Sequence, residues 1–294
     1  MTFKRYLQQE RHSDNSIERY LTRVKNYESW CKKRAVKATL IDYKTLLKYI
    51  KYLQSKNWKA ESVNNQIRAI NYYFEYLINE NIRPDNPAAD VKVKREHTKV
   101  LNNLLSSDEL EDLYYSFETE NIKDFYFTAC AKRNKVITGL IVYQALNSTT
   151  LSKLQIEHLE LYKGKIYIPS TKKSNSRTLE LKSWQVIELM EYINEYRPKI
   201  QQHIELFNDT LFPLNTNQFN TILGSLTKKL KRINHKVINA NQLRSSVITN
   251  WLNSNNIREV QEMCSHKYIG STERYQQDNL ENLQEGINEF HPLS

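Results

Sequence analysis

The chain has 294 residues, room for two domains with separate cores, since single domains usually hold about 100 to 200 residues. Five glycines and six prolines, with 39% hydrophobic and 26% charged residues, exclude collagen-like and low-complexity chains and point to a helix-rich globular protein. The net charge of +10 is placed unevenly: residues 1–100 hold 21 Lys or Arg against 11 Asp or Glu, and residues 101–294 hold 22 against 22. A basic helical module attracts polyanions through counterion release, although a merely soluble basic surface would carry the same excess. Cys31, Cys130 and Cys264 lie far apart and form no CxxC, so neither a disulfide framework nor a zinc site is signalled, and a reducing cytosol is the expected home. The start, Met1 to Asn15, lacks the apolar stretch of a signal peptide, and no run of about 18 apolar residues occurs. Neither secretion nor membrane insertion is expected.

In chain order, a short helix is predicted over Phe3 to Glu10. Ser13-Asp14-Asn15-Ser16 offers N-cap residues for a second, whose apolar positions Ile17, Tyr20, Leu21, Val24, Tyr27 and Trp30 recur at three and four. A third starts near Asp42 (Leu46, Leu47, Tyr49, Ile50, Leu53), and a fourth after Glu61 (Val63, Ile67, Ile70, Tyr73, Phe74, Leu77). The stretch from Ile82 to Arg95 then carries two prolines and a run of bases, the mark of a linker. The expected division is a helical domain over residues 1–90, a linker over 91–104 and a second domain over 105–294.

Ser106-Ser107-Asp108-Glu109 reads as the helix start that opens the second domain. Further helices are predicted over Arg133–Leu146 and, briefly, Leu151–Leu154. Lys165–Pro169 and Arg177–Leu181 are strand-like around the polar turn Ser170–Ser176, giving a β-hairpin with lysines at its tip. Helices follow at about 183–196, 216–232, 241–253 and 256–264.

The most specific signal is at the end. Asn241-Gln242-Leu243-Arg244 is followed by Cys264-Ser265-His266 and by Ser271-Thr272-Glu273-Arg274-Tyr275, which places Tyr275 nine residues after His266. This order resembles the catalytic domain of the tyrosine recombinases, also called the phage integrase family. The resemblance implies a mainly α protein with a small β-hairpin or sheet, in which a helical, SAM-like core-binding domain precedes a mixed α/β catalytic domain. It implies double-stranded DNA as substrate, clamped between the two domains. The tyrosine attacks one strand to give a 3′-phosphotyrosyl link and a free 5′-hydroxyl, and rejoining to another strand completes an exchange. No cofactor and no metal are expected, because the covalent link stores the bond energy.

Carried over residue by residue, Tyr275 matches the nucleophile, although with 19 tyrosines any one of them alone would be read as packing. His266 matches the residue that bonds the scissile phosphate or orients the tyrosine. Arg244, on a helix with the apolar face Val247, Ile248, Trp251 and Leu252, matches the arginine whose guanidinium forks onto phosphate oxygens. Lys172 matches the hairpin lysine that protonates the departing 5′-oxygen, with Lys173 an adjacent rival.

Two positions depart from the pattern. In Gln144-Ala145-Leu146-Asn147, Asn147 stands where the family places its first arginine. In Asn241-x-x-Arg244, an amide replaces the histidine of His-x-x-Arg, and an amide can donate a hydrogen bond but cannot shuttle a proton. Loss of one transition-state donor typically costs about 2.7 to 4 kcal/mol, which slows an enzyme without abolishing it. Lys153, Lys173, Arg177 and Arg133 are the candidate compensating cations, and the sequence does not choose among them.

Leu280, Leu283, Ile287 and Phe290 fall at helical spacing, and in the family such a final helix docks into a neighbouring subunit of a tetramer. The same spacing would suit a helix folded on its own domain. The expectation is therefore a bacterial, cytoplasmic, nucleoid-associated DNA recombinase or integrase of a mobile genetic element, acting in DNA integration or transposition as a dimer to tetramer on DNA. Its competitors are a catalytically impaired recombinase-derived DNA-binding protein, a type IB topoisomerase-like relaxing enzyme and a helical transcription regulator.

Overall fold

The computed structural model describes residues 1–94, 103–120, 122–171 and 174–276. The chain divides into two compact units, Met1–Thr98 and Lys99–Ser294.

The first unit holds four helices, α1 (Phe3–Gln9), α2 (Asp14–Lys32), α3 (Tyr43–Ser55) and α4 (Ala60–Asn79). Side-chain caps fix their starts: Ser13 Oγ accepts from the Ser16 amide and Asp42 Oδ1 from the Thr45 amide at 2.8 Å. The apolar stripes read from the sequence converge on an aromatic core. The rings of Tyr27 and Tyr49 meet edge to face at 5.5 Å, and those of Trp30 and Tyr49 at 4.9 Å. Gln66 is buried there because its Nε2 donates to the Arg23 carbonyl at 2.7 Å and to the Tyr49 hydroxyl at 2.9 Å.

Over its described residues, the proline-containing stretch after α4 is not a free tether. Ala88 is buried in the core of this unit, and Asn64 bonds both the amide and the carbonyl of Val93 at 2.8 Å. The prolines mark the end of a helix, and the chain beyond them still packs.

The second unit contains α5 (Ser107–Tyr115), α6 (Phe125–Val142), α7 (Ser148–Leu151), β1 (Leu159–Glu160), β2 (Lys165–Ile168), β3 (Arg177–Glu180), α8 (Ser183–Glu191), α9 (Arg197–Ile204), α10 (Thr216–Ile233), α11 (Ala240–Ser254) and α12 (Ile257–Cys264). The three strands form one antiparallel sheet in the order β1-β2-β3, with Ile168 opposite Arg177 and Lys165 opposite Glu180. Helix α5 starts in a full capping box, Ser106 with Glu109.

Three features differ from the sequence reading. Helix α6 starts eight residues before Arg133, at the Asp124 cap, and ends at Val142. It is buried on nearly every side, and a helix wrapped in core carries no one-sided stripe to mark its limits. The helix expected to end at 196 runs on: a π turn over Tyr192–Tyr196 joins α8 to α9, and Pro198 sits in the first turn beyond it, where its missing N–H costs little. The short helix expected at Leu151–Leu154 closes at Leu151, and β1 adds a strand too short to show a pattern.

The core of this unit gathers Ile137, Leu140, Leu146, Leu151, Phe212 and Ile248 from five segments. It packs α6 against α11 and so fixes where α7, β3 and α11 present their ends. No helix among the described residues is long and apolar enough to cross a membrane. The C-terminal positions Leu280, Leu283, Ile287 and Phe290 lie outside the described residues.

Candidate active site

Arg244 projects from the first turns of α11, whose start is set by Asn239 accepting from the Gln242 amide at 2.9 Å. Its guanidinium donates to the carbonyl of Ala145, which stands in the left-handed region (φ 50°) where the chain turns from α6 towards α7. A second N–H of Arg244 points at His266 Nε2, 3.5 Å away. The side chain is thereby braced from behind.

His266 lies just past the end of α12, where Ser265 adopts a left-handed backbone (φ 57°) and turns the chain. The segment is tied to the hairpin by an antiparallel bridge between Ser174 and His266 and by the Asn175 amide donating to the Ser265 carbonyl at 3.0 Å. His266 Nδ1 lies 2.9 Å from the hydroxyl of Thr272, which is fully buried. Because a guanidinium only donates, Nε2 is the acceptor in this arrangement, and the ring proton sits on Nδ1 towards Thr272. Burial, followed by the charges of Arg244 and then Arg177, pushes the imidazole down to about 4, so at neutral pH the ring is uncharged.

Tyr275 is half-buried against the core of the second unit, its ring parallel to that of His266 (3°) with centroids 6.1 Å apart. Cys264, beside them, is not a competing nucleophile: burial pushes its thiol up to about 11.

A cleft of about 960 Å³ joins these groups. Tyr275, His266, Arg244, Arg177, Lys153, Asn147 and Asn241 all line it, and no Asp or Glu is among its lining residues. Asn147 caps α7, its side-chain oxygen accepting from the Thr150 amide at 2.9 Å. Asn241 is exposed on the first turn of α11, and Lys153 is exposed at the cleft. Arg177 enters from the first position of β3, and burial followed by the charge of Arg244 lowers its guanidinium to about 10, still protonated at neutral pH.

Arg133 is not brought to the cleft. It is buried on α6, where its Nε and a terminal nitrogen donate to Asn134 Oδ1 at 3.1 and 3.0 Å. Lys172 and Lys173 lie outside the described residues, but Thr171 and Ser174 on either side of them both line the cleft. Sequence reading missed Thr272, and the only available signal was its place between His266 and Tyr275. Among the described residues no group of three or more His, Cys, Asp or Glu is placed to hold a metal ion.

Chemically, the cleft has the groups to take up an anion, with a phenol at its edge. Fixed guanidinium donors can take up charge on an oxyanion, and a hydroxyl nucleophile is next to them.

The comparisons with known proteins agree with that chemistry. The model of the phage integrase family matches residues 103–282, and that of the phage integrase N-terminal SAM-like domain matches residues 1–81. "Tyrosine recombinase XerD" of Oceanobacillus iheyensis is 27% identical over 289 residues, spanning 95% of this chain and 93% of that protein. "TnP I resolvase" of Bacillus thuringiensis is 23% identical over 283 residues, 94% of each. Among solved structures, the XerH site-specific recombinase bound to palindromic difH substrate, a post-cleavage complex, matches with TM-score 0.67 at 18% identity, over 97% of this chain and 94% of that one. At that identity the likeness is one of fold.

Proposed function

This chain belongs to the phage integrase family and is a tyrosine-type site-specific recombinase, and from that premise we propose that its substrate is double-stranded DNA, cleaved and rejoined by Tyr275. The observation that carries the proposal is the cleft in which Tyr275, His266, Arg244 and Arg177 meet with no acid among the described lining residues.

In the proposed reaction the Tyr275 hydroxyl oxygen attacks the scissile phosphorus and gives its proton to solvent water. The bond from phosphorus to the 5′-oxygen breaks, and that oxygen takes its electron pair and a proton. The products are a 3′-phosphotyrosyl link and a 5′-hydroxyl, and attack by a 5′-hydroxyl of another strand runs the step backwards. Charge accumulates on the non-bridging oxygens at the transition state, where the planar fork of Arg244 is worth most. Its bond to the Ala145 carbonyl holds that fork in place before DNA arrives, so little reorganisation is needed.

His266 is neutral at working pH and acts as a hydrogen-bonding group, not a cation. In the proposed DNA complex the ring proton moves from Nδ1 to Nε2 to face the phosphate, and the Thr272 hydroxyl, which can donate as well as accept, then donates to Nδ1. Lys172 is the proposed proton donor to the leaving oxygen, on the ground of the family pattern. The excess charge of the first unit supports a phosphate-tracking role for it, with the two units clamping the duplex and two to four copies assembling on DNA.

One observation favours a slower enzyme. The side chain of Asn147 is committed to capping α7 and brings no charge to the phosphate.

The test is covalent trapping with a nicked suicide duplex taken from the ends of the element that encodes the chain. A DNA-linked band on a denaturing gel that disappears in Tyr275→Phe establishes the chemistry. Tight, salt-sensitive DNA binding with no band in the unaltered protein would assign the chain to the catalytically impaired class.

A further inference from the structure

Arg83, Arg133 and Arg197 are buried and have acceptors, and Arg177 is half-buried with its Nε closed off from water. Arg83 donates to the carbonyls of Thr39 and Ile41 and to Asp85, Arg197 to Thr210, Asn208 and Gln201, and Arg133 to Asn134. Arg177 has none among the described residues: its Nε is buried without a partner, and no carboxylate or carbonyl is bonded to its terminal nitrogens. A buried donor left unpaired costs free energy, and one beside a like charge costs more. Arg244 supplies that like charge, and among the described residues no acid lines the cleft to offset the pair.

The arrangement becomes favourable when an anion with several oxygens enters between the two guanidinium groups. The register of the sheet places Arg177 for this role. Its Cα is fixed opposite Ile168, so the fork enters the cleft from a strand, not from a flexible loop. Asn147, where the family pattern calls for an arginine, lines the same cleft and is occupied with its own helix.

We infer that Arg177 supplies the second guanidinium to the scissile phosphate, filling from the β-hairpin the place that Asn147 leaves vacant at α7. The inference rests on the reading of the chain as a tyrosine recombinase. Arg177 forms and breaks no bond and passes no proton. Its N–H groups donate to non-bridging oxygens and bond them more strongly as charge accumulates there. Lys153, a further cation among the described residues of the cleft, is a poorer fit: it is exposed, and an ammonium on a flexible stem offers no fixed fork.

The experiment measures the rate of covalent adduct formation on the suicide duplex for the full chain and for Arg177→Met, Arg177→Lys, Lys153→Met and the double variant Arg177→Met with Asn147→Arg. DNA affinity and thermal unfolding are recorded for each. The expected result is a loss of about a hundred- to a thousandfold for Arg177→Met with affinity little changed, a smaller loss for Arg177→Lys, and at least about tenfold recovery in the double variant. Recovery by an arginine on a different element is what a merely structural role cannot give.

If Arg177→Met does not fold, Arg177→Lys decides, because it keeps the charge and removes the fork. An Arg177 variant that folds and cleaves at the unaltered rate overturns the inference while the reading beneath it stands. So does a larger loss in Lys153→Met than in Arg177→Met, or a double variant that folds but shows no recovery. An unaltered protein that forms no adduct overturns that reading, and the inference with it.

Discussion

Arg83 in the first unit is buried and Arg177 in the second half-buried, and they are held differently. Arg83 lies over the Phe74 ring at 4.5 Å, and although its Nε is buried without a partner, its terminal nitrogens are bonded to two carbonyls and to Asp85. Arg177 is left beside Arg244 at a cleft that no acid lines among the described residues. The first unit, strongly basic overall, uses its buried arginine as a structural clasp. The second, with no net charge in residues 101–294, gathers bare positive charge at one place. Three of its acids are paired away from the cleft: Glu188 with Lys135, Glu191 with Lys132 and Glu109 with Lys236, each within 2.9 Å. Net charge therefore gives no measure of a site's field, and the separation of charges within a fold can create one where the total is zero.

The contrast can be broken most sharply at Tyr275. Tyr275→Phe is expected to abolish the covalent adduct while leaving DNA affinity intact in a filter-binding or gel-shift titration. Retention of any adduct would place the nucleophile on another residue. In the first unit, Phe74→Ala removes a fully buried ring and the surface on which Arg83 rests, and should cost about 3 to 5 kcal/mol. Hydrogen exchange should show the loss within residues 1–94, and weakened protection confined to the second unit would contradict the separate cores.

Arg244→Met should slow cleavage by about a hundred- to a thousandfold, corresponding to about 2.7 to 4 kcal/mol of transition-state stabilisation, with a small effect on affinity. A large loss of affinity at an unchanged cleavage rate would make Arg244 a ground-state anchor only.

A milder test uses pH. The folded state holds His266 at about 4, below its ordinary value of about 6.5, so between those values the unfolded chain binds more protons and stability falls as pH drops through the window. His266→Gln should flatten the stability profile between about pH 6.5 and 4, read by chemical denaturation at a series of pH values. An unchanged slope would assign the acid sensitivity elsewhere. The smallest effect is expected for Ser106→Ala, which removes one side of the α5 capping box and should cost about 1 kcal/mol in thermal unfolding.

Much of this was legible in the sequence because its causes are local. The stripes of α2, α3 and α4, the Ser106–Glu109 box and the alternating arms of the hairpin each follow from contacts within a few residues. Helix α6 lost its signal through being buried all round, and the run from α8 into α9 through its π turn was hidden by Pro198. Arg133, Lys153 and Arg177 were equivalent as letters. Arg133 proved to be paired away from the cleft, Lys153 to be exposed at it, and Arg177 to enter it unpaired.

The order Arg244, His266, Tyr275 was enough by itself to specify the family and, through it, a phosphoryl-transfer chemistry. The sequence also fixed the uneven charge of the two thirds of the chain and the absence of an arginine at 147. What only the tertiary structure decided is which groups share one electrostatic environment. Ala145, Arg177, Arg244 and Thr272 come from segments up to 127 residues apart in the chain, and nothing local records that they meet. Burial and the lack of a partner, the two conditions that give a guanidinium its pull on a phosphate, are properties of that meeting and not of any residue in it.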